Sequence, residues 1–163
     1  MKLPNASALF FGFLFMLHAS AADLQFYVGT YTRPNGSKGI YHFRMDPTTG
    51  ALTGGELAAE SKSPSFLALH PNKKFLYAVN EVDGSGGVSA FAIEGDGKLR
   101  PLNEQPSRGA GACHLSVDAA GKTVFVANYG AGNIAALPWL KMAVFAGWRM
   151  RREPRRGFGM IPR

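Results

Sequence analysis

Two side chains near the middle of the chain have the chemistry of proton transfer. His114 is the stronger candidate, as a general base or as a hydrogen-bond partner of a substrate, because imidazole titrates near neutral pH. Glu81 could orient a water molecule, and Arg108, in "SRGAGACH", could reach an anionic group. The structural alternatives are a histidine that caps a loop, a solvated carboxylate and a surface arginine. The side chains that we expect to contact a substrate are Arg108, Asn128, Tyr129 and Tyr31.

An internal repeat places these side chains at related positions. Aligning Asn80 with Asn128 lays "PSFLALHPNKKFLYAVNE" over "ACHLSVDAAGKTVFVANY", 48 residues further on, and "LQFYVGTY" is a third, partial copy that starts at Leu24. The two fuller copies each have two short strands around a turn, then a Gly-rich loop and a third strand, "GVSAFAI" or "NIAALPW". "KLRPLNE" follows the first of these as a polar outer strand.

This period predicts an all-β fold of β-propeller blades, each a four-stranded antiparallel sheet. A β-sandwich is the alternative, although sandwiches do not repeat the same turn chemistry at a fixed period. The chain would supply about two to two and a half blades, an incomplete ring. In a propeller the first strand of each blade lines the channel and the second runs antiparallel to it. We therefore expect the start of the strand at His114 and the strand ends near Tyr31, Glu81 and Tyr129 to converge at the channel mouth.

We expect no catalytic or substrate-binding role for three other side chains, His70, His42 and Cys113. His70, in "LHPNKK", falls at a turn on the opposite face and is predicted to be structural, and His42, on a third strand, is predicted to be exposed. Cys113 is predicted to be a small, buried apolar residue. The histidines show no spacing typical of metal ligands, so we expect neither a metal nor another cofactor.

The two ends of the chain differ from the repeat. Residues 1–22 have the form of a secretory signal peptide, with an apolar run, "ALFFGFLFML", and small residues before Asp23. We therefore expect export to the periplasm or the medium, with no membrane span after cleavage. Residues 140–163 are Arg-rich and lack the strand rhythm, so we expect a disordered basic tail that arose by frameshift or truncation. The alternative is a functional basic tail for nucleic acid or an anionic membrane. Most of the net charge of +7 lies in this tail, and the nearly neutral body argues against nucleic acid as a partner.

An ordered set of segments resembles the lactonase family of seven-bladed β-propellers, which includes bacterial 6-phosphogluconolactonase and the carboxymuconate-cyclising enzymes of the cycloisomerase 2 family. The segments are "YVGTYT", "GIYHF", "TGAL", "PSFLALHPNKKFLYAVNE", "GACHLSVDAAGKTVFVANYGAGNI" and "AALP". The resemblance implies hydrolysis of a small-molecule sugar lactone, such as 6-phosphogluconolactone, in carbohydrate metabolism. In the cyclising relatives, the histidine, arginine and glutamate proposed to act lie in later blades and have no counterpart in this chain. The resemblance therefore allows only His114 to be transferred, as a histidine at a channel-lining position.

An incomplete ring would limit what this chain can do. A propeller that does not close leaves unpaired strand edges and exposed apolar faces. We therefore expect a partial propeller, residues 23–139, that is inactive alone and able to self-associate through its open blade edges. The alternative function is an exported propeller-type binding scaffold without catalysis, whose partner binding would survive His114→Ala.

Overall fold

The computed structural model describes residues 23–139, which form ten β-strands joined by turns and loops. No helix in this part of the chain is long and apolar enough to cross a membrane. The predictions for residues 1–22 and 140–163 lie outside the described residues. The strands are β1 (Leu24–Val28), β2 (Gly39–Met45), β3 (Leu52–Glu60), β4 (Leu67–Leu69), β5 (Phe75–Asn80), β6 (Gly87–Ile93), β7 (Leu99–Pro106), β8 (Ala112–Val117), β9 (Thr123–Asn128) and β10 (Asn133–Pro138).

The strands form three antiparallel sheets in which neighbours in sequence are neighbours in space. The first sheet has the order β1-β2-β3, the second β4-β5-β6-β7, and the third β8-β9-β10. The second sheet is a complete four-stranded blade. By alignment with it, the first sheet lacks the innermost strand and the third lacks the outermost strand, within the described residues. The predicted all-β fold of propeller blades is confirmed.

The backbone repeats the 48-residue period as closely as the sequence does. Residues with positive φ recur at the same places in successive blades, because the same turns join the same strands. The pairs are Ser63 and Gly111, Lys73 and Gly121, and Gly84 and Gly132. Each pair contains at least one glycine, the residue that adopts this conformation without strain.

The core lies on both faces of the second, central sheet, and the side chains of β5 contribute to both of its halves. Leu76 and Ala78 pack with Ile40 and other residues of the first sheet. Tyr77 and Val79 point the other way and pack against the third sheet. Side chains of a strand alternate between faces, so the uninterrupted apolar run "FLYAV" reflects burial on both sides. Full burial of each such side chain stabilises the fold by about 1.5–3 kcal/mol.

Two buried histidines lie where a turn of the next blade covers them. His70 is buried; its Nδ1 accepts a hydrogen bond from the Asn72 N–H at 3.1 Å, and its Nε2 lies 3.0 Å from the Gly121 carbonyl oxygen of the third sheet. The structural role predicted for His70 is confirmed. The prediction that His42 is exposed is wrong, because only 5% of it is exposed. The turn at Gly97, in the second sheet, covers its ring so closely that a Cβ there would lie 2.5 Å away.

Candidate functional site

The Glu81 carboxylate is the centre of a hydrogen-bonded group built from two blades. Glu81 directly follows β5, and its backbone N–H donates to the Ser63 carbonyl at 3.0 Å. Its Oε2 accepts a hydrogen bond from the Tyr31 hydroxyl at 2.9 Å and another from the Ser65 hydroxyl. Tyr31 lies in the loop after β1, and Ser65 lies just before β4. The structure therefore brings Tyr31 and Glu81 together, as their strand-end positions led us to expect.

A close backbone approach makes this contact between blades possible. Gly29, just after β1, lies so near the segment before β4 that a Cβ on it would fall 1.9 Å from the Pro64 carbonyl oxygen. No other residue could occupy that position without moving one of the two segments. The approach carries the Tyr31 loop up to Ser65 and Glu81.

The hydrogen bond between Tyr31 and Glu81 has an electrostatic consequence. It raises the pKa of Tyr31 above its ordinary value, because loss of the phenolic proton would leave two anions side by side. Cys113 of the third sheet also raises the pKa of Tyr31, to a smaller extent. Among the described residues, none donates a hydrogen bond to Glu81 Oε1, so this carboxylate keeps an oxygen available to a ligand.

His114 reaches the same region from the third sheet. Its side chain is exposed, and its ring centroid lies 4.2 Å from that of Phe66, with the planes tilted by 45°. The register between β8 and β9 shifts between Ala112 and His114, which makes Cys113 a bulged residue. Bulges often redirect a side chain near a functional site. Cys113 is half-buried here, more open than predicted.

These contacts link residues of all three blades into one chain of neighbours. Tyr31 and Ser65 bond to Glu81, Ser65 is adjacent in sequence to Phe66, and Phe66 packs on His114. Cys113 directly precedes His114 and makes the smallest contribution to the raised pKa of Tyr31. We call this group the mouth cluster, and its members are Tyr31, Ser65, Phe66, Glu81, Cys113 and His114.

Asn128 and its counterpart Asn80 are built into the turns. Asn80 is buried, and its Nδ2 donates at 3.1 Å both to the Ser61 hydroxyl and to the Lys62 carbonyl. The Nδ2 of Asn128, also buried, donates to the Ser107 carbonyl at 2.9 Å and to Asn133 Oδ1 at 2.8 Å. Both amides hold the loop that leads into the inner strand of their own blade. This is the turn-forming role that an asparagine at a strand end can fill.

The structure does not bring Arg108 or Tyr129 into the mouth cluster. Arg108 has a φ of 61° and lines a cavity of about 290 Å³ along β10, together with the end of β7. The side chain of Tyr129 is 87% exposed. Their assignment as substrate-binding residues remains a prediction.

Sequence reasoning missed Ser65 and Phe66 as members of the site. The repeat did give a signal, because Phe66 aligns with His114 and so occupies the same place at the start of an inner strand. Nothing in the sequence around Ser65 predicted its role, because that role depends on the hydrogen bond that its hydroxyl makes to the Glu81 carboxylate.

One cleft of the described region is lined by residues outside the mouth cluster. A cleft of about 470 Å³ between the first and second sheets is lined by Lys38, Glu60, Asn80, Glu104 and neighbouring residues. Within residues 23–139, no group of three or more His, Cys, Asp or Glu side chains could hold a metal ion.

The fold and its repeat define a segment of a β-propeller with a polar cluster at one end of its inner strands. The family model described as "Lactonase, 7-bladed beta-propeller" matches residues 25–145, most of the chain. The chain belongs to this family.

Three relatives illustrate the match. The 6-phosphogluconolactonase of Bacillus subtilis (strain 168) is 42% identical over 113 residues, which are 69% of this chain and 32% of that protein. A solved structure from Bacteroides fragilis NCTC 9343, provisionally assigned as a 6-phosphogluconolactonase, is 39% identical with a TM-score of 0.67, over 74% of this chain and 33% of that one. The periplasmic gluconolactonase of Pseudomonas aeruginosa is 28% identical with a TM-score of 0.64, over 71% and 34%. The chain spans about a third of the length of the relatives it matches.

Proposed function

We propose that this chain is part of a lactonase that hydrolyses a sugar lactone such as 6-phosphogluconolactone. The observation that carries the proposal is the mouth cluster, in which Tyr31 and Ser65 bond to Glu81 and the His114 ring packs on Phe66, next to Ser65, so that three blades contribute to one group at the end of the inner strands. Family membership supports the reaction class, since relatives bear the names of 6-phosphogluconolactonase and gluconolactonase.

Hydrolysis of a lactone needs three things from the protein. Water must lose a proton as it adds to the carbonyl carbon, the resulting oxyanion must be stabilised, and the ring C–O bond must break with a proton delivered to the leaving alkoxide. His114 is exposed and can take and return that proton. Glu81, held by Tyr31 and Ser65, offers its free oxygen to water or to a substrate hydroxyl. The oxyanion donor remains unassigned among the described residues.

The chain by itself is proposed to have little activity, because it spans only about a third of its relatives. A site at the channel mouth of a propeller draws residues from several blades. We also propose that the protein is exported, on the basis of the signal-like residues 1–22.

A chimera tests this function in a complete ring. Residues 25–138 of this chain would replace the matching segment of the Bacillus subtilis relative, and release of acid from 6-phosphogluconolactone would be followed above the spontaneous rate. We expect the chimera to hydrolyse the lactone and His114→Ala to lower kcat about 100-fold, the usual contribution of a general base. The control is Phe125→Ala, which truncates an exposed aromatic outside the cluster.

Two results would overturn the assignment. A chimera that folds and binds the lactone without hydrolysing it would favour the binding scaffold. A His114→Ala chimera with unchanged kcat would remove His114 from the reaction.

A further inference from the structure

We propose that the mouth cluster is a subsite for the neutral, hydroxyl-bearing side of a sugar ring, with Phe66 as the stacking surface and Glu81 as the hydroxyl acceptor. The inference rests on the proposed lactonase function for the identity of its ligand. It assigns substrate contact to Phe66 and Glu81, and it leaves proton transfer to His114.

Phe66 has the exposure and support that a stacking surface needs. It is 37% exposed although it directly precedes the inner strand of the complete blade. His114 packs against it at 4.2 Å between ring centroids, which limits its movement. An aromatic face held in this way can pack on the C–H groups of a sugar ring, which are apolar while the ring's hydroxyls are not.

Glu81 has the complementary polar chemistry. Tyr31 and Ser65 both donate to Oε2, which holds the carboxylate in one orientation. Oε1 receives no hydrogen bond from the described residues and can accept from a ligand hydroxyl. A hydrogen bond to a carboxylate is roughly twice as strong as one between neutral groups, so a single oriented oxygen is an effective hydroxyl acceptor.

The charge of the cluster argues against its being a phosphate subsite. Its fixed charge is the Glu81 carboxylate, and none of its six members is a lysine or an arginine. A phosphate group would be repelled by that carboxylate and is normally held by cationic side chains or by converging N–H groups. Arg108, the cation predicted for an anionic substrate, lines the cavity along β10 instead. If the substrate carries a phosphate, it must therefore be bound away from this cluster.

Binding of a matched pair of sugars to the full 163-residue chain tests the subsite. D-glucose is a neutral ring, and D-glucose 6-phosphate differs from it by the phosphate alone. Saturation-transfer NMR would measure both, after the amide spectrum has shown that the chain and each variant are folded. We expect D-glucose to bind with a dissociation constant in the millimolar range and D-glucose 6-phosphate to bind more weakly.

Each variant inside the mouth cluster has a control that makes the same substitution at a residue outside it. We expect Phe66→Ala to weaken D-glucose binding about two- to tenfold and Glu81→Gln to weaken it about tenfold or more. Phe125→Ala removes an aromatic ring of similar exposure on β9, and Glu104→Gln neutralises an exposed carboxylate on β7. Both controls should bind as the unaltered chain does.

The inference is overturned if neither sugar binds, if the chain shows no folded spectrum, if the controls lose binding equally, or if the phosphorylated sugar binds as tightly as glucose. These results are distinct from failure of the proposed function, which the chimera measures. Glucose binding without lactone hydrolysis in the chimera would keep the subsite and remove the lactonase assignment. If the chimera hydrolyses the lactone equally well with and without Phe66→Ala, the lactonase assignment is kept and the subsite is removed.

Discussion

Glu81 shows how one residue can obtain a defined orientation from two neighbouring blades. A carboxylate after a strand end is normally solvated and mobile. Here the Tyr31 and Ser65 hydroxyls both donate to its Oε2, and its own backbone N–H is bonded to Ser63. The Tyr31 hydrogen bond comes from the first blade, so this part of the orientation depends on the packing of the two blades.

The ionisation of Tyr31 reports directly on this contact. Because the Glu81 hydrogen bond raises the pKa of Tyr31, Glu81→Gln should let Tyr31 ionise at a lower pH than in the unaltered chain. Spectrophotometric titration of tyrosinate, with Tyr31→Phe used to assign the transition, measures the change. Glu104→Gln, which alters a carboxylate outside the cluster, should leave the Tyr31 transition in place. Identical curves for the unaltered chain and Glu81→Gln would contradict the contact.

Tyr77 makes the stability of the core depend on alkaline pH. Burial raises its pKa to about 12 from the ordinary value of 10.0, with the Trp139 indole opposing part of the rise. A raised pKa in the folded state means that the stabilisation is complete below about pH 10 and is lost as the pH rises toward 12. Urea unfolding across this interval should show a smaller loss of stability for Tyr77→Phe. An equal loss in both proteins would mean that other groups cause the alkaline unfolding.

At the scale of strands and turns, the contacts between blades are as specific as those within a blade. The turn at Gly121 is the clearest case. Its φ is +68°, and a Cβ at this position would lie 2.3 Å from Nε2 of the buried His70 in the preceding blade. The turn therefore has two independent reasons for glycine, one conformational and one steric.

A pair of glycine substitutions separates these two reasons. Gly132 has a similar φ, +62°, but nothing lies within 4 Å of a Cβ built there. Gly132→Ala should therefore cost only the left-handed backbone penalty, about 1–2 kcal/mol. Gly121→Ala should cost roughly 1–3 kcal/mol more, the usual cost of overpacking. Equilibrium urea unfolding gives both values, and His70→Ala should remove most of the difference when combined with Gly121→Ala. Equal costs for the two glycines would show that the contact with His70 is unimportant.

The sequence predicted the parts of the fold that repeat. Alternation and turn residues at a fixed period were enough for the three sheets, and the strand-end positions of Tyr31 and Glu81 were enough to place them together. The burial of His42 could not be predicted in this way, because it depends on the Gly97 turn of the next blade. The contacts of Ser65 and Phe66 were missed for the same reason. Each depends on how two blades pack, which the pattern within one strand does not encode.

At the scale of the whole described region, the three blades are unequally protected. The central sheet has a blade on each face, and its β5 is buried almost throughout. By contrast, β10 is an edge strand of the third sheet, and Ile134 on it is 78% exposed. A strand edge with unpaired N–H and C=O groups is a template for pairing with another chain. The repeat predicts an outer strand next to β10, in the place that β7 takes next to β6. Among the described strands, none occupies that place.

We predict that copies of the chain associate through β10. Ile134→Lys places a charge on the edge strand, where lysine opposes pairing with a second chain, so it should shift the 163-residue chain toward monomer. Sedimentation velocity over a range of protein concentrations measures that shift. The matched control is Phe125→Lys on β9, which puts the same charge in place of an exposed apolar side chain on a strand paired on both sides. If the two substitutions reduce association equally, exposed apolar surface in general drives it and the β10 edge has no special role. If only Ile134→Lys acts, the β10 edge is the surface through which the copies meet.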